Sequence, residues 1–176
     1  MTRQELCRKI YQISHLTGNF KLRSGLTSTE YFDKYRFESQ PLLLKEIAKA
    51  LAPSIPAGTE ILAGLELGGV PIATALSLET GIPTVFVRKK AKDYGTCQFA
   101  EGIEIRGKKL CIIEDVITTG GQVALSTQDL RQQGAIIDHV LCVIHRGQIP
   151  EPKIQDIGLN LKSLFSMEEL NRWGPV

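Results

Sequence analysis

Two carboxylates, two threonines and two glycines crowd into Glu114-Asp115-Val116-Ile117-Thr118-Thr119-Gly120-Gly121, with Gln122 next. These residue types suit a phosphorylated sugar. Hydroxyls and consecutive backbone N–H groups at the start of a helix favour an anion, and glycine lets the main chain close around it. The acidic pair a few residues earlier can accept hydrogen bonds from sugar hydroxyls or approach a metal-bound ligand. Such a pair before Thr-Gly is often no more than a turn with a helix cap. The whole stretch from Leu110 to Gln122 is more specific than the pair alone.

Three other places could serve the same chemistry. Gly68 and Gly69 stand between an apolar run (Glu60 to Gly64) and a helical pattern (Ile72 to Glu79, stopped by Gly81), so they form a second glycine turn after a strand. No lysine lies between Glu60 and Thr84, so an anion there would rely on backbone donors and on cations brought from elsewhere. Arg88, Lys89, Lys90 and Lys92 then precede Asp93-Tyr94-Gly95-Thr96-Cys97. A basic run is usually a solvated face, but a solvated face has no need of a glycine-bearing loop between two buried strands. Cys97 beside these cations would be an oxidisable thiol. Finally, Arg146 follows His145 at the end of an apolar run. A single strand-end histidine reads as structural, and the arginine after it is the better candidate.

The elements that must hold these residues alternate. Thr2 and Glu5 have capping-box spacing ahead of Leu6, Ile10 and Ile13, a helix expected to end near Gly18. Phe20 and Leu22, then Tyr31 and Phe32, suggest two short strands around a glycine-containing turn. Ser39-Gln40-Pro41 starts a helix that runs to Leu51. Strands follow at Glu60–Gly64, Pro83–Val87, an edge segment Ile103–Ile105, and Leu110–Ile113, whose apolar run predicts burial on both faces. A helix from Gly121 to Gln133 leads to a strand over Ile136–Ile144, where Asp138-His139 mark an end meeting water. A last extended segment spans Ile157–Phe165, and Ser166 with Glu169 caps a helix ending near Trp173. This order implies an α/β fold with a mostly parallel, doubly wound sheet flanked by helices, and ligands at its carboxyl edge.

The Leu110–Gln122 stretch resembles the phosphoribosyl-pyrophosphate signature of the type I phosphoribosyltransferases, with Gln122 where a small residue is usual. The stretches GNFKLRSG…YFDKY and Arg-Lys-x-x-Lys-Asp-Tyr-Gly are similar to the N-terminal hood and the mobile loop of orotate phosphoribosyltransferases. The resemblance implies transfer of 5-phosphoribose from phosphoribosyl pyrophosphate to orotate, giving orotidine 5′-phosphate and pyrophosphate in pyrimidine synthesis. It implies a hood at about 18–38 and a mobile catalytic loop at about 88–102 within a single domain, 1–176. It carries a catalytic role to Lys92, Glu114 and Asp115. Phosphate and pyrophosphate binding falls to Arg88, Lys89, Tyr94, Thr118, Thr119, Gly120, Gly121, Gln122, Gly68 and Gly69, and orotate binding to Arg23, Tyr31, Phe32, Thr118 and Arg146. Mg²⁺ would be held mainly by the substrate, near Glu114 and Asp115, with no direct protein ligand. A homodimer is implied, with Lys92 reaching into the neighbouring site. Two readings stand beside this: transfer to another nucleobase, and a non-catalytic sensor that binds nucleic acid through its basic loop.

Composition narrows the choice. The 176 residues, 43% of them hydrophobic, can bury a sizeable core. A net charge of +2 is too small to indicate nucleic acid. No apolar run approaches the roughly 18 residues that span a bilayer, and the first residues lack a secretory apolar region. The four cysteines, Cys7, Cys97, Cys111 and Cys142, form no CxxC pair. A cytoplasmic protein with reduced thiols is expected.

Overall fold

Apolar side chains on successive residues of one strand need cover on both faces, and the chain supplies it with helices on either side of one sheet. The computed structural model describes residues 1–21, 25–90, 99–147 and 151–174. Helix α1 (Arg3–Ser14) leads into strands β1 (His15–Lys21) and β2 (Thr27–Phe32), then α2 (Tyr35–Glu38) and α3 (Pro41–Leu51). Alternation follows: β3 (Ile61–Leu65), α4 (Gly69–Thr80), β4 (Thr84–Val87), the short β5 (Ala100–Glu101), β6 (Lys109–Ile117), α5 (Gly121–Gln132), β7 (Ile136–His145), α6 (Pro152–Gln155), β8 (Asn160–Ser166) and α7 (Met167–Trp173).

The main sheet has the order β5-β4-β3-β6-β7-β8, and every pairing is parallel except β4 with β5. Alternating side chains divide the core in two. Leu62, Cys111, Ile113, Leu141 and Val143 pack with Ile10, Phe37, Ile47 and Ile72 on one face. Ala63, Ile112, Val140 and Cys142 pack with Val123, Leu130 and Ile154 on the other. From β3 the chain leaves to one side through β4 and returns to the other side as β6. Neighbouring strands whose connections diverge in this way open a crevice at their carboxyl ends. Both sequence motifs rich in glycine follow these two strands. The expected doubly wound sheet is the one found.

Local signals explain most boundaries. Both capping boxes form: Glu5 and Glu169 accept hydrogen bonds from the backbone N–H groups of Thr2 and Ser166. Pro41 opens α3, where a missing N–H costs nothing. Gly81, at φ +75°, ends α4.

Several expectations need correction. α1 stops at Ser14 rather than near Gly18, because His15 already pairs with Phe32 and Asp33 N donates to Ser14 O (2.8 Å). The hairpin thus begins before the expected hood. Helix α4 starts at Gly69, ahead of Ile72. Ile103–Ile105 is not a strand. Gly102, at φ +126°, turns the chain off the sheet edge, Ile105 drops into the core, and Lys108 N closes a turn on Ile105 O (3.1 Å). Asp138-His139 do not interrupt β7; the ladder absorbs one extra residue there, passing from Leu110↔Ile137 to Cys111↔His139. The last strand begins at Asn160, since α6 and a turn at Gly158 (φ +70°) occupy the preceding residues. Among the described residues no helix is long and apolar enough to cross a membrane.

Candidate active site

β6 delivers the phosphate-type loop. It ends at Ile117, Thr118 and Thr119 turn, and Gly120 adopts φ +64° before α5 begins. A side chain at position 120 would be strained by that φ, and its Cβ would lie 2.6 Å from Ile154 on α6. The Gln122 side chain folds along α5 and donates to Ser126 Oγ (3.1 Å), so it does not block the helix entry. Thr118 to Gln122 line a cleft of about 340 Å³, together with Glu66, Leu67 and Gly68 after β3, and Lys89 after β4. These are the donors that the residue types promised, gathered at the diverging strands. A larger open groove, about 1050 Å³, runs between α1 and α3, away from these loops.

The turn after β3 is dictated by close approach. A Cβ on Gly68 would collide with Asp115 Oδ2, and one on Gly69 with the carbonyl of Ile113. Both glycines therefore let the start of α4 rest directly on β6. The Glu66–Leu67 peptide within this turn is cis. Glu66 Oε2 accepts from Lys89 N (3.0 Å), tying the turn to the start of the basic stretch. Arg88 N donates to Phe99 O (2.9 Å), and its guanidinium lies 4.0 Å from Glu101.

The acidic pair divides its roles. Glu114 lines the cleft, whereas Asp115 is fully buried and turned toward the Gly68 side. Lys34, from the segment after β2, reaches Asp115 Oδ2 at 2.6 Å and also lines the cleft. Glu38, at the end of α2, is 8% exposed and belongs to the same cluster as Asp115. Burial and the Asp115 charge push the Glu38 carboxyl up to about 9. Burial and Asp115 likewise raise Glu114 well above the usual range. Burial would also raise Asp115, but hydrogen bonds from Glu38, Glu114 and Lys34 bring it below its ordinary value. Burial opposes the Lys34 charge, yet the hydrogen bond and charge of Asp115, aided by Glu114 and Tyr35, carry its pKa above the usual lysine value. The cluster is thus a Lys34–Asp115 ion pair with neutral acids beside it, which spares a buried surplus of negative charge.

Other expected residues are distributed unevenly. Arg23, Lys92, Tyr94 and Cys97 lie outside the described residues. Arg146 is exposed at the same carboxyl edge, with its N–H on Ile117 O (2.8 Å). Tyr31 is exposed and stacks on Phe20, with ring centroids 5.5 Å apart. Phe32 does not face a ligand; it is buried in the core with Leu6 and Ile10, where it fastens the hairpin to α1. His145 is buried, and among the described residues neither ring nitrogen has a hydrogen-bond partner. Burial lowers its pKa, with Glu151 pulling the other way. A neutral imidazole there fits a packing role.

Sequence reasoning passed over Lys34, Tyr35, Glu38 and Glu66 as site residues. Lys34 and Tyr35 fall inside the hood stretch, and the run of charge in Asp33-Lys34 was the available signal. Nothing local marks Glu38 as buried.

Comparison with known proteins adds the lineage. Residues 36–164 match the family model described as phosphoribosyl transferase domain. An orotate phosphoribosyltransferase of a Nocardioides species is 49% identical over 166 residues, covering 94% of this chain and 93% of that protein. One from Methanocella arvoryzae is 39% identical over 158 residues, covering 90% of each. The crystal structure of Mycobacterium tuberculosis orotate phosphoribosyltransferase superposes with a TM-score of 0.81 at 28% identity, covering 96% of this chain and 98% of that one. With the loop after β6, the glycine turn after β3 and the hairpin all present on this fold, the chain belongs to the orotate phosphoribosyltransferases of the phosphoribosyltransferase family.

Proposed function

We propose that this protein transfers 5-phosphoribose from phosphoribosyl pyrophosphate to orotate, yielding orotidine 5′-phosphate and pyrophosphate. The observation that carries the reading is the cleft where the Thr118–Gln122 loop, the Gly68 turn, Glu114 and Lys89 meet. Orotate is favoured over other bases by the orotate phosphoribosyltransferases among the relatives and by the hood, with Tyr31 exposed on it and Arg23 in its sequence.

The hard event is departure of pyrophosphate from the anomeric carbon, which leaves positive charge on the ribose ring. The 5′-phosphate sits in the Thr118–Gln122 loop, under the N-terminus of α5, and its binding energy orients the sugar. Glu114, the member of the acidic pair that opens on the cleft, accepts from the ribose hydroxyls. The backbone at Gly68 and Gly69 and the side chains of Arg88, Lys89 and Lys92 take the diphosphate. Tyr94 is assigned to the same phosphates. Arg146, Arg23, Tyr31 and Thr118 hold orotate, whose nitrogen needs no strong protein base.

Mg²⁺ suits this cleft as a companion of the diphosphate. Among the described residues no group of three or more His, Cys, Asp or Glu could hold a metal ion, and Mg²⁺ commonly keeps phosphate and water ligands with few carboxylates. Glu66 and Glu114 line the cleft and would accept hydrogen bonds from those waters. When bound, the ion would supply charge neutralisation for the leaving diphosphate. A homodimer with Lys92 acting across the interface, and a cytoplasmic location, complete the proposal; the buried free thiols Cys7, Cys111 and Cys142 accord with a reducing compartment.

The test is ultraviolet absorbance. Purified protein with orotate, phosphoribosyl pyrophosphate and Mg²⁺ should consume orotate, and should leave adenine and hypoxanthine untouched. Preference for either purine would overturn the choice of base.

A further inference from the structure

A departing diphosphate carries several negative charges, and the turn at Gly68 that faces it has no charged side chain between Leu67 and Thr80 except Glu79. Among the described residues, two cations line the cleft: Lys89 and Lys34. Lys34 is held in an unusual place. Its ammonium lies 2.6 Å from Asp115 Oδ2, the same oxygen that a Cβ on Gly68 would strike. The cation is therefore brought against the diphosphate-type turn by a residue that packs under that turn.

The pair is lopsided. Asp115 is fully buried, while about a third (34%) of the Lys34 side chain is exposed. The carboxylate is a seat and the ammonium is its outward end. An ammonium has three donors, and one ion-pair contact with Asp115 leaves others for the cleft. Glu38 is buried beside Asp115, and each of the two carboxyls shifts the other. A pair serving stability alone would gain little from this arrangement, since burying opposite charges roughly breaks even.

We propose that Lys34 is a diphosphate-binding residue, seated by Asp115 with Glu38 behind it, so that the hood supplies the cation the Gly68 turn lacks. The inference rests on the reading of the cleft as a phosphoribosyltransferase site. It assigns Asp115 to positioning, and leaves the ribose contact to Glu114.

Calorimetry with two separate probes tests it: magnesium pyrophosphate for one end of the cleft and ribose 5-phosphate for the other. Lys34→Met should weaken pyrophosphate binding at least about tenfold, the scale of one lost charge-assisted hydrogen bond, and change ribose 5-phosphate binding by less than about twofold. Lys34→Arg should restore part of the loss. Because Lys34→Met leaves a buried carboxylate unpaired, the neutral pair Lys34→Met/Asp115→Asn is measured as well and should show the same selective loss. In steady state, KM for phosphoribosyl pyrophosphate should rise while KM for orotate holds. Unchanged pyrophosphate binding in the folded double variant overturns the proposal, as does equal loss of both probes. A wild-type protein that binds pyrophosphate through Lys34 but consumes no orotate would instead sink the assigned reaction.

Discussion

Glu38 keeps a proton that an ordinary glutamate would have lost, and this has a measurable cost. Its folded pKa, about 9, stands above the ordinary 4.5 because of burial and the neighbouring Asp115 charge. Below pH 4.5 the folded and unfolded chains both hold the proton. As pH rises from there toward 9, only the unfolded chain releases it, so stability falls across that window. Asp115, Lys34 and Glu114 are the titratable groups that face it. Glu38→Gln keeps a neutral donor for Asp115 and removes the titration. Thermal melts should show the variant gaining on wild type between pH 5 and pH 8, with little difference at pH 4. A gap independent of pH would mean that Glu38 is ionised in the fold. This residue was invisible in the sequence for a physical reason: its partner is distant in the chain, and a one-turn helix has no periodicity to expose a buried face. The loop Thr118–Gly121 was legible because one short stretch contains the whole device.

At the scale of elements, the glycines of the β3–α4 turn and of the α4 C-terminus have different duties. Gly68 touches Asp115, whereas Gly81 faces open space and needs only its left-handed φ. Gly81→Ala should lower stability by about 1–2 kcal/mol through that φ, with kcat/KM unchanged. Gly68→Ala forces a side chain against Asp115 and should cost about 1–3 kcal/mol as an overpacked site, with pyrophosphate binding lost as well. Urea midpoints and pyrophosphate titration distinguish the two. Strand and helix order was readable because apolar runs, caps and glycine stops agree with one another. The errors fell where pairing with distant residues decides: His15 is drawn into the hairpin by Phe32, and Ile103–Ile105 leaves the sheet because Gly102 turns. Alternation alone could not separate a strand from a loop that buries one isoleucine.

For the molecule as a whole, the proposed reach of Lys92 into a partner's cleft makes each active site a joint product. Lys92→Ala and Glu114→Gln proteins should each be nearly inactive. Mixed and allowed to exchange subunits, they should recover about a quarter of the wild-type rate, because random pairing makes half the dimers hybrids with one intact site. No recovery, with exchange verified, would falsify the shared site. The arrangement of the sheet has a consequence of its own. Gly69 abuts the carbonyl of Ile113 and Gly68 abuts Asp115, while the same strand runs on into the loop at Thr118. The two ends of the cleft are thereby mounted on a single rail. On the proposed reading they would act as the jaws of a calliper set to one sugar's length, with discrimination among phosphorylated sugars built into the backbone before any side chain moves.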